Sequence, residues 1–497
     1  MRRAFTLVEM LIAMVLTLIL ITAIAQFYAI VGESVKDGRA MIELSGQVRN
    51  TVTRLNEDFD CLTSSVSPWI DDGSAGGYFE YFEGRGCDWD SDGDGVADSP
   101  AALSLGVTNM LGDGDDFLAF TIRAKESPFH GRVTSGGVLS MATSQTAEVA
   151  WWVGFDDVNG NGTWQLDEPR QVYRRQLLIR PDFVPDGTAT HATMADAQTR
   201  LRTLLQLNDI SMSVRAEPSG AGGIAYRIRA NSLSDLSRRE NRFAHRPISA
   251  SIVSGVVMDD TFPHAQQLLP SFSAKTPGVT AQTTYALLGD ATGEDVMLSN
   301  PLAFDVQVFD PFVRLWPSDP TSVNGSQAAI VPSDPGYSDV SIAAKTINPT
   351  PFVGLGGFVD LGYYRYLKPA AKNESATAGM QQPYYASLPA WPYSLTTATQ
   401  QTAYLNQLGC TYDTWPLSYE LDGVFQLNQF GVNAGRMDLQ TNGIDDDGTN
   451  GVDDTAERET NAPYQQPLRG LQVRVRVYEP STRQARQATV ATDFVME

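Results

Sequence analysis

Histidine, cysteine and basic residues are scarce in this chain, and each shortage narrows the functions to expect. Its 497 residues include four histidines, three cysteines, and 36 lysines and arginines against 58 acidic residues, for a formal net charge of −22. The scattered histidines form no paired-histidine zinc motif, and the sequence has neither a Gly-x-Ser-x-Gly elbow nor a phosphate-binding loop. Because nothing nominates a nucleophile, we expect no enzyme. The acidic balance, without basic patches, argues against nucleic-acid binding.

One long apolar run lies near the N-terminus, and it contains a single charge. The run extends from Phe5 to Val31 behind the basic head Met1-Arg2-Arg3-Ala4, and Glu9 is its one ionisable acid. As a helix it would be about 40 Å long, enough to cross a membrane. The basic head should stay cytoplasmic, which leaves the rest of the chain outside. A carboxylate at bilayer depth costs about 2.5 to 3.5 kcal/mol, so Glu9 is expected to meet a positive partner.

The residues Ala4 and Phe5-Thr6-Leu7-Val8-Glu9 resemble the start of type IV prepilins and pseudopilins. That class has a short basic leader, a cut before Phe, then Thr-Leu-Val/Ile-Glu and an apolar helix. The resemblance implies cleavage between Ala4 and Phe5 by a prepilin peptidase, within a cleavage and methylation segment. It also implies that Glu9 pairs with the freed terminal amine of a neighbouring subunit. Where the class usually has Gly before the cut, this chain has Ala4.

Two other interpretations of the apolar run remain. A secretory signal peptide could be cut after Ala23-Ile24-Ala25, so that the chain would start at Gln26. Glu9 in the middle of the apolar stretch argues against this. The second is a plain uncleaved membrane anchor with a stray carboxylate.

A helical stripe follows the apolar run and predicts that the helix continues beyond it. Apolar residues recur every three or four positions, at Met41, Leu44, Val48, Val52, Leu55, Phe59 and Leu62. The residues between them are polar, namely Arg49, Asn50, Thr53, Arg54, Asn56, Glu57 and Asp58. We therefore expect the stripe to lie on a globular domain while the polar face meets solvent. A continuous or gently bent helix from Phe5 to about Phe59 would be about 80 Å long.

Strand patterns dominate after residue 110. Strands are predicted over 116–123, 148–155, 171–179, 211–215, 224–229 and 252–258, with a helix over 194–208. Residues 471–478 and 486–494 predict an antiparallel hairpin that closes the fold. The expected fold class is α+β, with a long N-terminal α-helix packed on a mainly antiparallel β-sheet domain that carries a large loop-rich insertion.

Six segments make up the expected organisation. They are a leader over 1–4, an apolar membrane helix over 5–31, its amphipathic continuation over 32–62, a β-rich region over 63–312, an insertion over 313–466 and a C-terminal hairpin over 467–497. The insertion, rich in Pro, Gly, Ser and Tyr, is too long for an ordinary loop and is interpreted as decorating one sheet. Residues 301–311 and 467–480 look alike, which we attribute to two similar strands rather than to a duplication.

The long helix and the terminal strands are similar to those of the larger J-type minor pseudopilins of type II secretion. In that family such strands complete the sheet that packs on the helix. The resemblance implies a subunit that assembles with other pseudopilins through its N-terminal helix, at the tip of a pseudopilus, and supports protein export. It implies an inner-membrane anchor and a periplasmic domain. The alternative is a membrane-tethered extracytoplasmic adhesin or carbohydrate-binding protein that uses calcium.

Three acidic loops are candidates for calcium. Alternating oxygen ligands with Gly at the sixth position are typical of an EF-hand-type loop. The first loop would bind through Asp90, Asp92, Asp94, the Val96 carbonyl and Asp98, although its twelfth position is Ala101. The second would bind through Asp157, Asn159, Asn161, Thr163 and Glu168, or is an Asn-Gly turn without metal. The third, with Asp446, Asn450, Asp454 and Glu457, is off register because Gly448 holds its third position, and a solvated acidic loop is the equal alternative.

The three cysteines would face an oxidising compartment if the sheet domain is extracytoplasmic. A Cys61–Cys87 disulfide would tie the end of the helix to the first loop and leave Cys410 over. Three unpaired thiols are the alternative, since sequence does not determine pairing.

Overall fold

The structure is a computed structural model in which a long helix carries a domain of antiparallel sheets. It describes residues 6–70, 76–83, 114–155, 169–218, 224–245, 294–321, 328–347, 353–372, 382–387, 410–416, 445–454, 462–479 and 482–494, apart from 115, 136, 186, 188, 335, 366, 446, 447, 453 and 483. The strand expected over 252–258 lies outside these ranges. From residue 60 onward we call the described part the sheet domain.

The N-terminal helix α1 runs from Leu7 to Phe59 without interruption. Its 53 residues give a length of about 80 Å. Gly32 and Gly38 lie inside it without breaking it, in open space. The long continuous helix predicted from the sequence is confirmed, although Phe5, where we expected it to begin, lies outside the described residues.

Each strand predicted within the described residues is present to within a few residues of its predicted bounds, and several further strands were not predicted. They are β1 (Phe79–Glu83), β2 (Phe117–Arg123), β3 (Phe129–Ser135), β4 (Val138–Ser144), β5 (Thr146–Phe155), β6 (Arg170–Leu178), β7 (Met212–Pro218), β8 (Ile224–Ala230), β9 (Val296–Ser299), β10 (Pro301–Pro317), β11 (Ala329–Ile330), β12 (Gly354–Val359), β13 (Cys410–Asp413), β14 (Gly470–Glu479) and β15 (Gln484–Asp493). The described helices after α1 are α2 (Met194–Leu207), α3 (Leu233–Leu236), α4 (Tyr337–Lys345) and α5 (Pro369–Lys372). The mainly antiparallel α+β fold is therefore confirmed.

Two larger sheets and two hairpins make up the sheet domain. The six-stranded sheet has the order β13-β1-β2-β5-β6-β9, and the five-stranded sheet has the order β11-β10-β14-β15 with β12 also paired to β10. All the pairings between these strands are antiparallel. β3 pairs with β4 and β7 with β8 as separate hairpins.

The six-stranded sheet is buried on both faces. Alternate residues of β5 face opposite sides of a sheet, and Val149 and Trp151 join the core that α1 and the five-stranded sheet share. Ala150 and Trp152 join a second core with α2, β7 and β8. This double burial explains why β5 reads as a nearly continuous apolar run.

The apolar stripe of α1 packs on the sheet domain as predicted. Leu44, Val48, Leu55 and Phe59 are buried in the shared core. Residues before them on the helix, such as Leu7 and Ile30, remain exposed. The first part of the helix therefore projects from the domain with its apolar surface uncovered by the described residues.

Asp58 corrects one expectation about this helix. We expected it on the solvent face, but it is only 2% exposed. Its Oδ1 lies 2.7 Å from Arg174 Nη2, and its Oδ2 accepts hydrogen bonds from Arg174 Nε at 2.8 Å and Trp151 Nε1 at 3.0 Å. Trp151 of β5 and Arg174 of β6 thus supply the hydrogen-bond partners of the Asp58 carboxylate. These partners make its burial between α1 and the sheet domain favourable.

The range 313–466 contributes to both larger sheets. Its strand β12 pairs with β10 in the five-stranded sheet, whereas β13 pairs with β1 in the six-stranded sheet. The sequence interpretation had placed the range on one sheet, because a short strand such as β13 gives little pattern. The division of the chain into six segments, with 313–466 as a separate insertion, stays a prediction. The two look-alike segments lie in β10 and β14, which are neighbouring antiparallel strands.

Candidate functional site

The candidate site is the N-terminal end of α1, where Thr6 and Glu9 form a capping box. Glu9 Oε2 accepts hydrogen bonds from the Thr6 backbone N–H at 2.8 Å and from Thr6 Oγ1 at 3.0 Å. In return the Glu9 N–H donates to Thr6 Oγ1 at 3.3 Å. The carboxylate also lies at the positive end of the helix dipole. Hydrogen bonds from Thr6 therefore stabilise the Glu9 carboxylate in part. The sequence analysis had expected this stabilisation to come only from a positive group on a partner.

Thr6 is the residue that the sequence reasoning missed at this site. The spacing Thr-x-x-Glu before an apolar run is the signal of a capping box, and it was present in the printed sequence. Phe5 and Ala4, the two residues of the expected cleavage site, lie outside the described residues. The structure thus places Glu9 beside Thr6 and leaves the cleavage site a prediction.

The helix that follows is long and apolar enough to cross a membrane. The apolar first part of this helix is not covered by the described residues. Thr17 and Thr22 donate their hydroxyls to the carbonyls of Ala13 and Leu18, at 2.7 and 2.8 Å. These hydrogen bonds satisfy the two threonine hydroxyls, which lipid tails could not do because they offer no acceptor. This single N-terminal apolar helix suggests membrane anchoring.

Most of the predicted calcium ligands lie outside the described residues. This holds for Asp90, Asp92, Asp94, Val96, Asp98, Asp157, Asn159, Asn161, Thr163, Glu168, Asp446 and Glu457. Of the third loop, Asn450 and Asp454 are described, and Asn450 has a left-handed backbone with a φ of 59°. Asp445 Oδ1 accepts the Gly448 N–H at 2.6 Å. Within the described ranges no group of three or more His, Cys, Asp or Glu residues is arranged to hold a metal, so the calcium loops stay predictions.

Cys61 lies just beyond the end of α1 and is half-buried. Burial disfavours the thiolate and raises the pKa of the Cys61 thiol. Cys87 lies outside the described residues, so the Cys61–Cys87 disulfide stays a prediction. Cys410 is buried in β13 opposite Glu83 of β1.

Comparison with known families agrees with the N-terminal geometry. Residues 1–25 match the family model of the prokaryotic N-terminal methylation motif. No curated protein and no solved structure matches the chain. The motif and the long apolar helix support a subunit of the type IV pilin-like or pseudopilin type. The motif also implies processing by a prepilin peptidase and assembly with other pilin-like subunits.

Proposed function

We propose that this chain is a minor pseudopilin of the J type, assembled at the tip of a type II secretion pseudopilus and supporting protein export. The observation that carries the proposal is the N-terminal motif on a 53-residue helix whose apolar half projects from the sheet domain. The C-terminal hairpin of β14 and β15, packed beside α1, supports the J-type assignment. The anchor would lie in the inner membrane and the sheet domain in the periplasm.

Assembly in this proposal uses Glu9 and the new terminus of a neighbouring subunit. Cleavage of the Ala4–Phe5 peptide bond by water would leave a protonated amine on Phe5. Among the described residues only Thr6 contacts the Glu9 carboxylate, and it does so through Oε2. Oε1 is therefore available to accept a hydrogen bond from the amine of another subunit. In a bundle of apolar helices, where water is excluded, such a pair would be strongly attractive.

The first test is the mass of the N-terminal peptide from protein purified from its native membrane. We expect the chain to begin at Phe5, since the motif implies removal of residues 1–4. A chain that begins at Gln26 would show secretion through a signal peptide, and an intact Met1 would show an uncleaved anchor. Either result would overturn the pseudopilin assignment.

The second test is Glu9→Gln, which removes the charge and retains the size of the side chain. We expect the variant to be cleaved and to keep a folded sheet domain but to be absent from assembled filaments, as measured by cross-linking and co-purification with fellow subunits. Glu33→Gln is the matched control, because Glu33 lies on the same helix and is also exposed. Normal incorporation of Glu9→Gln would contradict the role of the charge.

The second candidate function is a membrane-tethered adhesin or carbohydrate-binding protein that uses calcium, and the acidic loops favour it. Isothermal titration of calcium into the detergent-solubilised full chain tests the loops directly. We expect Asp90→Ala and Asp157→Ala each to remove part of the calcium-dependent heat, because each deletes the first ligand of its loop. If the unmodified chain gives no calcium-dependent heat, the metal claim fails for both functions.

A further inference from the structure

The last strand of the five-stranded sheet, β15, leaves one of its two edges open. In the strand order β11-β10-β14-β15 it stands at the end, and β14 is the strand that pairs with it. The register between the two is continuous, from Gln484 opposite Glu479 to Asp493 opposite Gly470, without a bulge. Among the described residues no other backbone group bonds to the outer side of β15.

The register shows which backbone groups of β15 face outward. Just beyond the strand, the Phe494 N–H donates to the Arg469 carbonyl at 2.8 Å, in the same register. In an antiparallel pair, residues that bond to the neighbouring strand alternate with residues whose N–H and C=O point away from it. Even-numbered residues of β15 therefore bond to β14, and odd-numbered residues present their backbone groups on the outer side. We call this outer row, whose side chains are also exposed, the β15 edge: Ala485, Gln487, Thr489 and Ala491.

The β15 edge lacks the features that keep an exposed strand from pairing with another chain. Native edge strands are commonly short, bulged, or interrupted by proline or by charged residues. β15 is ten residues long, contains no proline, and has no charged residue between Arg486 and Asp493. Its backbone is therefore a ready template for an additional strand.

The outer edge of the six-stranded sheet, by contrast, is covered by α1. The Thr51 hydroxyl donates to the Met297 carbonyl of β9, and Gln47 Oε1 accepts a hydrogen bond from the Ser299 N–H, both at 3.4 Å. On the five-stranded sheet the same helix packs on the face instead, where Val490 of β15 is buried in the shared core. The helix thus covers the edge of β9 and leaves the β15 edge uncovered.

β15 lies alongside α1 and runs in the same direction. Just before β15 begins, the Thr482 hydroxyl is 3.4 Å from Met41 Sδ. Where β15 ends, the ring of Phe494 is linked through two further phenylalanine rings to Phe59, at the end of α1. The β15 edge therefore runs away from the apolar first part of the helix. A subunit that packs along α1 is brought next to this edge.

The hairpin of β14 and β15 is basic in an acidic chain. Residues 469–493 carry five arginines against Glu479 and Asp493, although the formal net charge of the whole chain is −22. Arg486, near the start of β15, is exposed. Opposite charges across an interface favour the encounter and fix its register. The hairpin therefore favours a partner strand that carries Asp or Glu.

We propose that the β15 edge is completed by an edge strand of a neighbouring pilin-like subunit, which extends the five-stranded sheet by main-chain hydrogen bonds and carries acidic residues beside the arginines. This inference rests on the proposed assembly through α1 and gives that assembly a second contact. The added strand is antiparallel to β15, as the other pairings in this sheet are, so it runs toward the membrane.

The direction of the added strand also determines the kind of contact. Two copies of this chain anchored in one membrane have their β15 strands pointing the same way, so β15 of a second copy does not supply an antiparallel strand. The partner therefore uses a different strand, and the contact joins two unlike surfaces. Contacts between unlike surfaces are the kind that build open filaments.

Hydrogen exchange of single backbone amides tests the β15 edge in the unmodified full chain, in detergent and in assembled filaments. In detergent we expect Gln487 and Thr489 to exchange quickly, and Ala488 and Val490, which bond to β14, to exchange slowly. In filaments the first two should slow by more than about tenfold. Fast exchange of these two in filaments that contain the chain would overturn the proposal. Slow exchange in detergent would also overturn it, because another part of this chain would then fill the edge.

Thr489→Pro removes one outward N–H and leaves the hydrogen bonds to β14 in place, which is why proline is tolerated on edge strands. We expect the variant to fold, as shown by its tryptophan fluorescence, but to be recovered in filaments about tenfold less than the unmodified chain expressed beside it. Thr489→Val is the matched control, because it keeps the N–H and the shape of the side chain. Equal recovery of the two variants would overturn the proposal.

The two sets of variants separate this inference from the proposed function. If Glu9→Gln is lost from filaments while Thr489→Pro is incorporated normally, assembly through α1 is supported and strand addition alone is overturned. If the unmodified chain is neither cleaved nor incorporated, both proposals are overturned.

Discussion

Asp58→Ala is expected to destabilise the sheet domain by about 3 to 5 kcal/mol, because it leaves Arg174 buried without its partner. Asp58 and Arg174 are 2% and 7% exposed at the side chain and 2.7 Å apart. The substitution also removes the acceptor of the Trp151 indole N–H. Chemical unfolding of the full-length protein in detergent, followed by fluorescence, gives the change in the free energy of unfolding.

Two further variants separate the ion pair from other effects on α1. Glu57→Ala removes the neighbouring acid, which pairs with Arg54 at the surface, and we expect a change of at most about 1 kcal/mol. The double variant Asp58→Leu with Arg174→Met replaces both buried charges by apolar groups and should recover most of the loss. If Asp58→Ala costs no more than Glu57→Ala, the buried pair does not hold the helix on the domain.

Leu55→Ala should lower the free energy of unfolding by about 2 to 5 kcal/mol through the cavity that it creates. Leu55 is fully buried in the core that α1 shares with both larger sheets. Alanine is also a better helix former than leucine, so helix propensity cannot account for a loss. Urea unfolding monitored by fluorescence measures the difference.

Ile42→Ala provides the matched control for Leu55→Ala. Ile42 is an apolar residue of the same helix but is 75% exposed, so its truncation should change the free energy of unfolding by less than about 0.5 kcal/mol. Equal effects at the two positions would mean that the stripe does not pack on the sheet domain as the structure has it.

The two residues show how far sequence reasoning reached into the fold. Leu55 could be assigned to the core because the period of apolar residues depends only on helix geometry. Asp58 could not be assigned, since a carboxylate on a helix is normally solvated and only the position of Arg174 on β6 makes burial favourable. Likewise β13 has four residues, too few for a pattern to show, and its pairing with β1 depends on contacts more than 300 residues apart in sequence.

At the candidate site the sequence predicted the N-terminal motif around Glu9, but it did not determine which groups surround that motif. Glu9 stood out as a lone acid in an apolar run, and the match to the methylation motif agrees with the class that the residues predicted. The Thr-x-x-Glu spacing of Thr6 and Glu9 would also have predicted the hydrogen bonds between them, although the sequence analysis did not use it. The subunit type, the calcium loops and the Cys61–Cys87 disulfide stay predictions, because they depend on groups brought together by partners or by residues outside the described ranges.

The sequence by itself determined the apolar helix, its amphipathic continuation and the alternation of the main strands, because these follow from short-range periodicity in one chain. Only the tertiary structure decided that Asp58 is buried and that both faces of the six-stranded sheet are covered. Each of these depends on which distant residues meet in a low-dielectric interior, where a charge persists only if a specific partner faces it.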